Sequence, residues 1–264
     1  MNTRAEPLLK LYCWNRCGHS AIALLCLQAK GLPFERAHVD LLRLEQYSPS
    51  FLTVNAAGQV PVLVHGDSVI TQTNAILEYL DETFPEPALM PHDALGRWRV
   101  RVWAKMLNED IAPSVSQLAW HRYTRSRLTG ERLAHLRQDV SRIPIPERRE
   151  AWMSACAEEV DPAQAQFSQR KLEVALARME AELGRAQWLA GEQLSLADLQ
   201  LYPLIAPVAK LLPEQLNAAA TPQIARWLDQ MSAQPCVQLA LGTSAQDRDE
   251  LLQLAPGPEH IRWG

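Results

Sequence analysis

The order of strand and helix signals in residues 7–86 constrains the fold more than any other feature of the sequence. Leu8–Trp14 is a short apolar run that stops at the turn-prone pair Asn15–Arg16, as a buried strand does. The apolar helical segment Ala21–Leu27 follows and stops at Lys30–Gly31. Phe34–Val39 then predicts a second strand. A helical crossover between two strands predicts that the strands run parallel.

A hairpin and a third helix complete this first unit. Val62–Val64 and Val69–Thr71 are separated by the tight connection Gly66–Asp67, which predicts an antiparallel pair. A helix is expected from about Thr73 to Glu82. The order β-α-β followed by β-β-α is typical of a thioredoxin-like domain. We therefore predict an α/β thioredoxin-like N-terminal domain over residues 7–86.

The remainder of the chain carries helical patterns and no alternating strand pattern. Beyond a proline-rich linker at Pro85–Pro91, apolar residues recur at helical spacing, as in Trp98, Val102 and Met106. We expect an all-α C-terminal bundle over residues 95–254. Residues 124–160 are too charged and too interrupted by proline to form one core helix, so they are predicted to be a covering insertion.

Charge and cysteine content exclude several classes of protein. The net charge of -4 comes from mixed signs, whereas phosphate binding needs a concentrated basic face, so no nucleic-acid partner is expected. The N-terminus does not resemble a secretory signal, and the apolar runs are too short or too broken to span a bilayer. Five scattered cysteines suit a reducing compartment and give no spacing for a zinc site. We expect a soluble, cytoplasmic protein that has no metal and does not bind membranes.

The first chemical motif is Cys17-Gly18-His19-Ser20, where the first strand passes into the first helix. Free backbone N–H groups and the positive end of the helix dipole favour a thiolate there and lower the pKa of a cysteine. Cys17, His19 and Ser20 are therefore the candidate catalytic residues. The alternative is that Cys17 is one more small buried residue. A disulfide between Cys13 and Cys17 is a further possibility.

Two other segments are candidate binding sites for a peptide-like ligand. Gln59-Val60-Pro61 begins the third strand, and an X-Pro bond there can be cis, which would turn the Val60 backbone toward a ligand; a trans proline that starts a strand is the alternative. Gln72 and Thr73 open the third helix, where unfilled N–H donors form a natural carboxylate cradle. An ordinary capped helix would explain the same residues.

Aromatic and soft side chains near the expected domain interface are candidates for a substrate pocket. Each is either part of the core or part of the wall of an apolar pocket, and Trp14 and the segment Trp120–Tyr123 are those we expect to reach an open pocket. The full set comprises Trp14, Trp103, Met106, Trp120, His121 and Tyr123.

Several of these motifs occur together in one order and spacing that resembles the glutathione transferase superfamily over nearly the whole chain. They are the cysteine-bearing turn, Lys30-Gly31-Leu32, Asn55–Leu63, Gln72–Leu77 and the helix-capping segment Ser195–Asp198. The resemblance implies an α/β thioredoxin-like domain followed by an all-α bundle, with glutathione as co-substrate and a homodimeric assembly.

The resemblance also implies roles for individual residues. The Val60 backbone would pair with the cysteinyl part of glutathione, and Gln72 and Thr73 would hold the γ-glutamyl end, with Gln59 close by. Cys17 lies where omega-type members have their cysteine, and Ser20 lies where bacterial β-etherases place a serine near the glutathione sulfur.

Other segments are similar to those β-etherases in particular, including the insertion. These segments are Glu45-Gln46, Arg101–Trp103 with Lys105, Val115-Ser116 with Trp120, and Ile143–Glu147. Gln46 is therefore added to the candidate glutathione-binding residues. The chain departs from the β-etherases by having a thiol at Cys17 and a histidine at His19.

Three functions follow as hypotheses. The first is a transferase that presents the glutathione thiolate to an apolar or aromatic electrophile, in β-aryl ether cleavage or dehalogenation. The second is an oxidoreductase or deglutathionylase in which Cys17 itself forms a mixed disulfide with glutathione. The third is a transferase-like module without catalysis that binds apolar ligands or a protein partner.

Overall fold

The N-terminal half is a small four-stranded sheet with helices, as the sequence predicts. The computed structural model describes residues 9–14, 18–124, 130–156 and 162–242. The strands are β1 Leu9–Cys13, β2 Phe34–His38, β3 Val62–His65 and β4 Ser68–Thr71. The helices of this half are α1 Gly18–Ala29, α2 Pro49–Val54 and α3 Thr73–Thr83.

The sheet has the order β2-β1-β3-β4, with β1 between a parallel and an antiparallel neighbour. Tyr12 of β1 pairs with Ala37 of β2 on one side and with Val62 of β3 on the other. Both predicted pairings are confirmed, since β1 and β2 run parallel while β3 and β4 form an antiparallel hairpin. Alternate residues of β1 are buried, because successive side chains of a strand point to opposite faces of the sheet.

In its described part the C-terminal half is mainly helical, with one isolated β-bridge between Trp188 and Gly191. Its helices are α4 Ala94–Met106, α5 Ala112–Ala119, α6 Gly130–Val140, α7 Pro146–Ala155, α8 Pro162–Leu183, α9 Leu196–Ile205, α10 Val208–Leu211, α11 Pro222–Ser232 and α12 Pro235–Leu241. Two π-helical turns, Leu107–Ile111 and Trp120–Thr124, flank α5 and extend the long helical segment that α4 begins. The predicted fold class, a thioredoxin-like domain with an all-α bundle, is confirmed.

One continuous apolar core joins the two halves. Helix α1 is buried along most of its length because it packs on α3 at one side and on α9 and α12 at the other. The start of α9 is fixed by a capping box, in which the Ala197 N–H donates to Ser195 Oγ and the Ser195 N–H donates to Asp198 Oδ2. Asp198 also accepts a hydrogen bond from the indole N–H of Trp227 at 2.9 Å, which ties α9 to α11.

The predicted insertion forms two helices, α6 and α7, that build a second core of their own. This core contains Trp120, whose ring packs edge-on against Trp152 at a centroid distance of 5.5 Å. It also takes Leu44 from the N-terminal half. This cluster therefore draws residues from both halves. The domain bounds 7–86 and 95–254 and the insertion bounds 124–160 stay predictions.

Candidate active site

The end of β1 is tied to the first turn of α1 by a hydrogen bond from the backbone N–H of Trp14 to Ser20 Oγ, at 3.1 Å. Ser20 is buried at 4% exposure in the first turn of α1, and His19 beside it is half-buried. Cys17 lies outside the described residues, so its predicted role stays a prediction. One lone pair of the Ser20 oxygen accepts this bond, and the hydroxyl proton donates to no described residue, so it can serve a second partner.

Burial makes the other thiols of this region poor nucleophiles. Burial raises the pKa of Cys13, although the nearby Arg36 guanidinium opposes the shift, and burial raises the pKa of Cys26 to about 12. Burial also raises the pKa of Cys236. These three thiols are therefore protonated near neutral pH and do not provide a thiolate.

The loop that leads into β3 is held by Asn55. The Asn55 side-chain N–H donates to the carbonyl of Gln59 at 2.8 Å, and the Ala57 N–H donates to Asn55 Oδ1 at 3.1 Å. The Val60–Pro61 peptide bond is cis. Gln59 and Val60 are partly exposed at the end of this loop, whereas Pro61 is buried. Sequence patterns indicate Asn55 only as part of the segment Asn55–Leu63, whereas the structure shows that its side chain holds the turn.

The start of α3 carries donors that no side chain caps. Gln72 occupies the N-cap position with a φ of 69° and is exposed, and its side chain makes no capping hydrogen bond. Thr73, the first residue of the helix, is buried. Asn74 follows, and its Oδ1 is buried and has no hydrogen-bond partner among the described residues. A positive φ at a residue other than glycine is a strained conformation that occurs often at ligand sites. The arrangement fits a ligand that offers a carboxylate to the helix dipole and a donor to Asn74.

A double turn between β2 and α2 carries Gln46. The turn is braced by Asp40, whose side chain accepts from the Leu42 N–H at 2.9 Å and whose N–H donates to Glu45 Oε2 at 2.8 Å. Leu44 at its centre has a left-handed φ of 56°, which costs an L-residue roughly 1–2 kcal/mol. Burial of a leucine side chain is worth about 1.5–3 kcal/mol, which offsets that strain. Gln46 is fully buried within this turn, so its assignment to the glutathione site stays a prediction.

Of the side chains predicted to line a substrate pocket, the structure buries the three tryptophans in the core. Trp103 and Trp120 are buried in the core, where their indole N–H groups donate to the carbonyls of Leu189 and Ala155. Trp14 is also buried, at 3% exposure. The expectation that Trp14 and Trp120 reach an open pocket is thus not supported, since the burial of both side chains and the satisfied indole of Trp120 point to the alternative, a core role.

Met106, His121 and Tyr123 remain candidates for the pocket wall. Met106 and Tyr123 are partly buried and pack against the edge of the main core. His121 lies in the same π-helical turn as Tyr123. Their assignment stays a prediction.

Two cavities open elsewhere on the described surface. A groove of about 600 Å³ lies between α1, β2 and α12, and a second of about 400 Å³ lies between α5, α8 and α10. Neither is lined by a predicted site residue. In the described ranges no group of three or more His, Cys, Asp or Glu side chains could hold a metal ion. Within the same ranges no helix is both long enough and apolar enough to cross a membrane.

Comparison with known families accounts for both halves of the chain. Residues 7–82 match the family described as the glutathione S-transferase N-terminal domain, and residues 144–235 match the glutathione S-transferase C-terminal domain. Protein LigF of Sphingobium sp. strain SYK-6 is 31% identical over 254 residues, which cover 93% of this chain and 96% of LigF. Glutathione S-transferase F14 of Arabidopsis thaliana is 30% identical over 88% of this chain and 82% of its own.

Solved structures agree with the sequence comparison. The crystal structure of the β-etherase LigF superposes with a TM-score of 0.81, covering 89% of this chain and 99% of LigF at 30% identity. The transferase URE2P6 of Phanerochaete chrysosporium, solved with oxidised glutathione, has the same fold, with a TM-score of 0.69 and 18% identity over 93% of this chain and 98% of its own. The sequence match over nearly the full length, together with the two domain matches, shows that this chain belongs to the glutathione S-transferase family, whose enzymes use glutathione as co-substrate.

Proposed function

We propose that this protein uses glutathione to cleave aryl ethers of the β-aryl type. The observation that carries the proposal is the similarity to LigF, a β-etherase. Its structure covers 89% of this chain at a TM-score of 0.81, whereas URE2P6 reaches 0.69. The insertion helices α6 and α7 lie in a segment whose sequence resembles the β-etherases. Dehalogenation of an aromatic substrate would need the same thiolate and is an outcome of the test below.

Glutathione binding in this proposal rests on α3 and on the loop before β3. The carboxylate of the γ-glutamyl group faces the uncapped N–H donors at Gln72 and Thr73, where the helix dipole favours a negative charge. The ammonium group of the same moiety donates to the unpartnered Asn74 Oδ1. The exposed backbone of Val60 pairs with the cysteinyl part, as the backbone of an extended peptide does at a sheet edge.

The proposed reaction is a displacement at carbon. The glutathione thiolate attacks the carbon that carries the aryloxy group, so that a C–S bond forms, the C–O bond breaks and a phenolate leaves and takes up a proton. The Ser20 hydroxyl group stabilises the thiolate by donating a hydrogen bond to it. Its oxygen is held in place by the hydrogen bond that it accepts from the Trp14 N–H. Holding both reactants in one site replaces a bimolecular encounter with a local one.

A turnover experiment with matched variants tests this function. A β-aryl ether that releases a coloured phenol is incubated with reduced glutathione, and the thioether product is identified by mass spectrometry. Gln72→Ala should raise the glutathione KM, whereas Glu82→Gln, at the exposed far end of the same helix, should leave it unchanged. A halogenated aromatic substrate is assayed in parallel, and release of halide from it without release of phenol from the ether would move the assignment to dehalogenation. If calorimetry on reduced protein detected no uptake of glutathione, the proposed function would be abandoned.

We also propose that the protein works as a cytoplasmic homodimer. Exposed apolar side chains occur on β4 and on α4, where Val69, Leu95 and Trp98 are each at least half exposed. A surface of this kind favours contact with a second copy. Trp98→Glu should shift the mass measured by light scattering toward the monomer, while Met153→Glu, an equally exposed position on α7, should not. Equal masses for both variants would remove Trp98 from the interface.

A further inference from the structure

The second core joins the insertion to the turn that precedes the glutathione-binding loop. Leu136 on α6, Ile143 after it and Trp152 on α7 are buried in one cluster with Leu44, which comes from the turn between β2 and α2. Tyr47, three residues further along that turn, packs against the same cluster. The insertion and the turn that carries Leu44 and Tyr47 therefore share one apolar cluster.

Tyr47 in turn supports the loop that carries Gln59 and Val60. Gly58 lies so close to the Tyr47 ring that a Cβ on it would be 2.6 Å from Cε1 and 2.8 Å from Cδ1. Its φ of 62° is one that glycine adopts without strain. The Gly58 N–H donates to the carbonyl of Asn55 at 2.9 Å, and the Asn55 side chain holds Gln59. A displacement of the Tyr47 ring would move this loop, because no space separates the two.

We propose that the insertion formed by α6 and α7 is a positioning element for the glutathione site, acting through Leu44, Tyr47 and Gly58 on the backbone of Gln59 and Val60. The inference rests on the proposed function, since it assumes that this backbone binds glutathione. It goes beyond that function by giving the insertion a role in co-substrate affinity rather than in covering the second substrate alone.

The physical basis is the close packing of protein interiors. A buried cluster changes by discrete repacking and transmits a displacement to the groups in contact with it. Here residues of α6 share one buried cluster with Leu44, Tyr47 packs against that cluster, and the Tyr47 ring lies against Gly58. Contiguity alone does not establish coupling, so the test has to measure it.

Glutathione affinity in core variants of the insertion provides the first test. Leu136→Ala removes a buried side chain of the second core, and Ile143→Val removes one methyl group and preserves the fold. Met153→Ala, at an exposed position on α7, is the control. Leu136→Ala should weaken glutathione binding measured by calorimetry by about 3- to 30-fold. Ile143→Val should show a smaller change in the same direction, and the control should match the wild type.

The kinetic pattern separates positioning from general damage. The variants should raise the glutathione KM while the kcat at saturating glutathione stays near that of the wild type, because the loss lies in binding of one substrate. Unchanged glutathione affinity in folded Leu136→Ala protein would overturn the proposal. A fall in kcat alone would also overturn it, since the insertion would then act on the second substrate.

Hydrogen exchange tests the structural half without any ligand. The N–H groups of Ala57 and Gly58 are bonded to Asn55 and should be protected in the wild type. In Leu136→Ala they should exchange faster, while amides of β1 in the sheet centre keep their protection. If protection of Ala57 and Gly58 did not change, the inference would be wrong even if glutathione binds. Failure of the wild type to bind glutathione, with faster exchange in the variant, would instead reject the proposed function and leave the contact pathway standing.

Discussion

Lys30 and Asp81 form a buried ion pair that fastens the end of α1 to α3 and to the linker. The Lys30 side chain is fully buried, and its ammonium group also donates to the carbonyls of Phe84 at 2.8 Å and Pro87 at 2.7 Å. Asp81 also accepts the backbone N–H of Leu89 at 2.9 Å. The sequence pattern identified Lys30 only as the basic residue at a helix end. The structure shows that every hydrogen of its ammonium group has a partner.

Replacing Lys30 by methionine should destabilise the fold by about 3–5 kcal/mol, because it leaves the Asp81 carboxylate and two carbonyls without their cation. Lys10→Met is the matched control, since Lys10 pairs with Glu35 on the surface and such pairs are worth about 0–1 kcal/mol. Urea unfolding of both variants measures the difference. Equal losses would show that the buried pair contributes no more than the exposed one.

Ser20→Ala should lower the free energy of unfolding by about 1–3 kcal/mol, because the buried N–H of Trp14 would lose its acceptor. Turnover with glutathione should fall and remain measurable, since binding and the helix-start amides are kept. Ser141→Ala, an exposed serine on the insertion, is the control for stability. Loss of activity without loss of stability would mean that Ser20 serves chemistry alone.

Cys17→Ser separates the transferase from the oxidoreductase hypothesis. A transferase that activates the glutathione thiol should keep most of its activity, because the nucleophile belongs to glutathione. An enzyme that forms a mixed disulfide on Cys17 should lose all activity, since no sulfur remains to be attacked. Intact mass after incubation with oxidised glutathione checks the same point, because an added glutathionyl group on Cys17 would favour the oxidoreductase.

Asp93 should make stability depend on pH at the acidic end. A hydrogen bond from the Gly96 N–H at 2.8 Å holds the pKa of Asp93 below its usual value of 3.8. The folded state thus favours the carboxylate, so the contribution of Asp93 is present above about pH 4 and is lost as the pH falls through the lowered pKa. Asp93→Asn keeps the acceptor without the charge. Its stability relative to the wild type, measured by urea unfolding at several pH values, should improve as the pH drops, and a constant difference would contradict the prediction.

Local patterns accounted for most of the fold and for part of the site. The two strands on either side of Gly66–Asp67, the capping box at Ser195 and the start of α3 each depend on residues that are neighbours in the chain. The uncapped Gln72 and the Asn55–Val60 loop were found for the same reason. Such signals are readable because turn and cap energies arise within a few residues.

Side-chain environment could not be predicted in this way. The sequence predicts Trp120 at an open pocket, but its ring packs edge-on against Trp152 in the second core. The face that a helix buries depends on which element covers it. The packing of the insertion in one cluster with Leu44 could not be predicted either, because a charged segment with prolines does not indicate which part of the chain it packs against.

The sequence by itself determined the order of strands and helices and the parallel and antiparallel pairings. The residues around glutathione are a prediction that comes from the resemblance to the family. Only the tertiary structure decided that Lys30 meets Asp81, 51 positions away, and that Tyr47 rests on Gly58 beneath a core supplied by the insertion. The reason is physical: hydrogen-bonded turns and caps are governed by chain neighbours, whereas burial and ion pairing depend on surfaces brought together by packing of the whole chain.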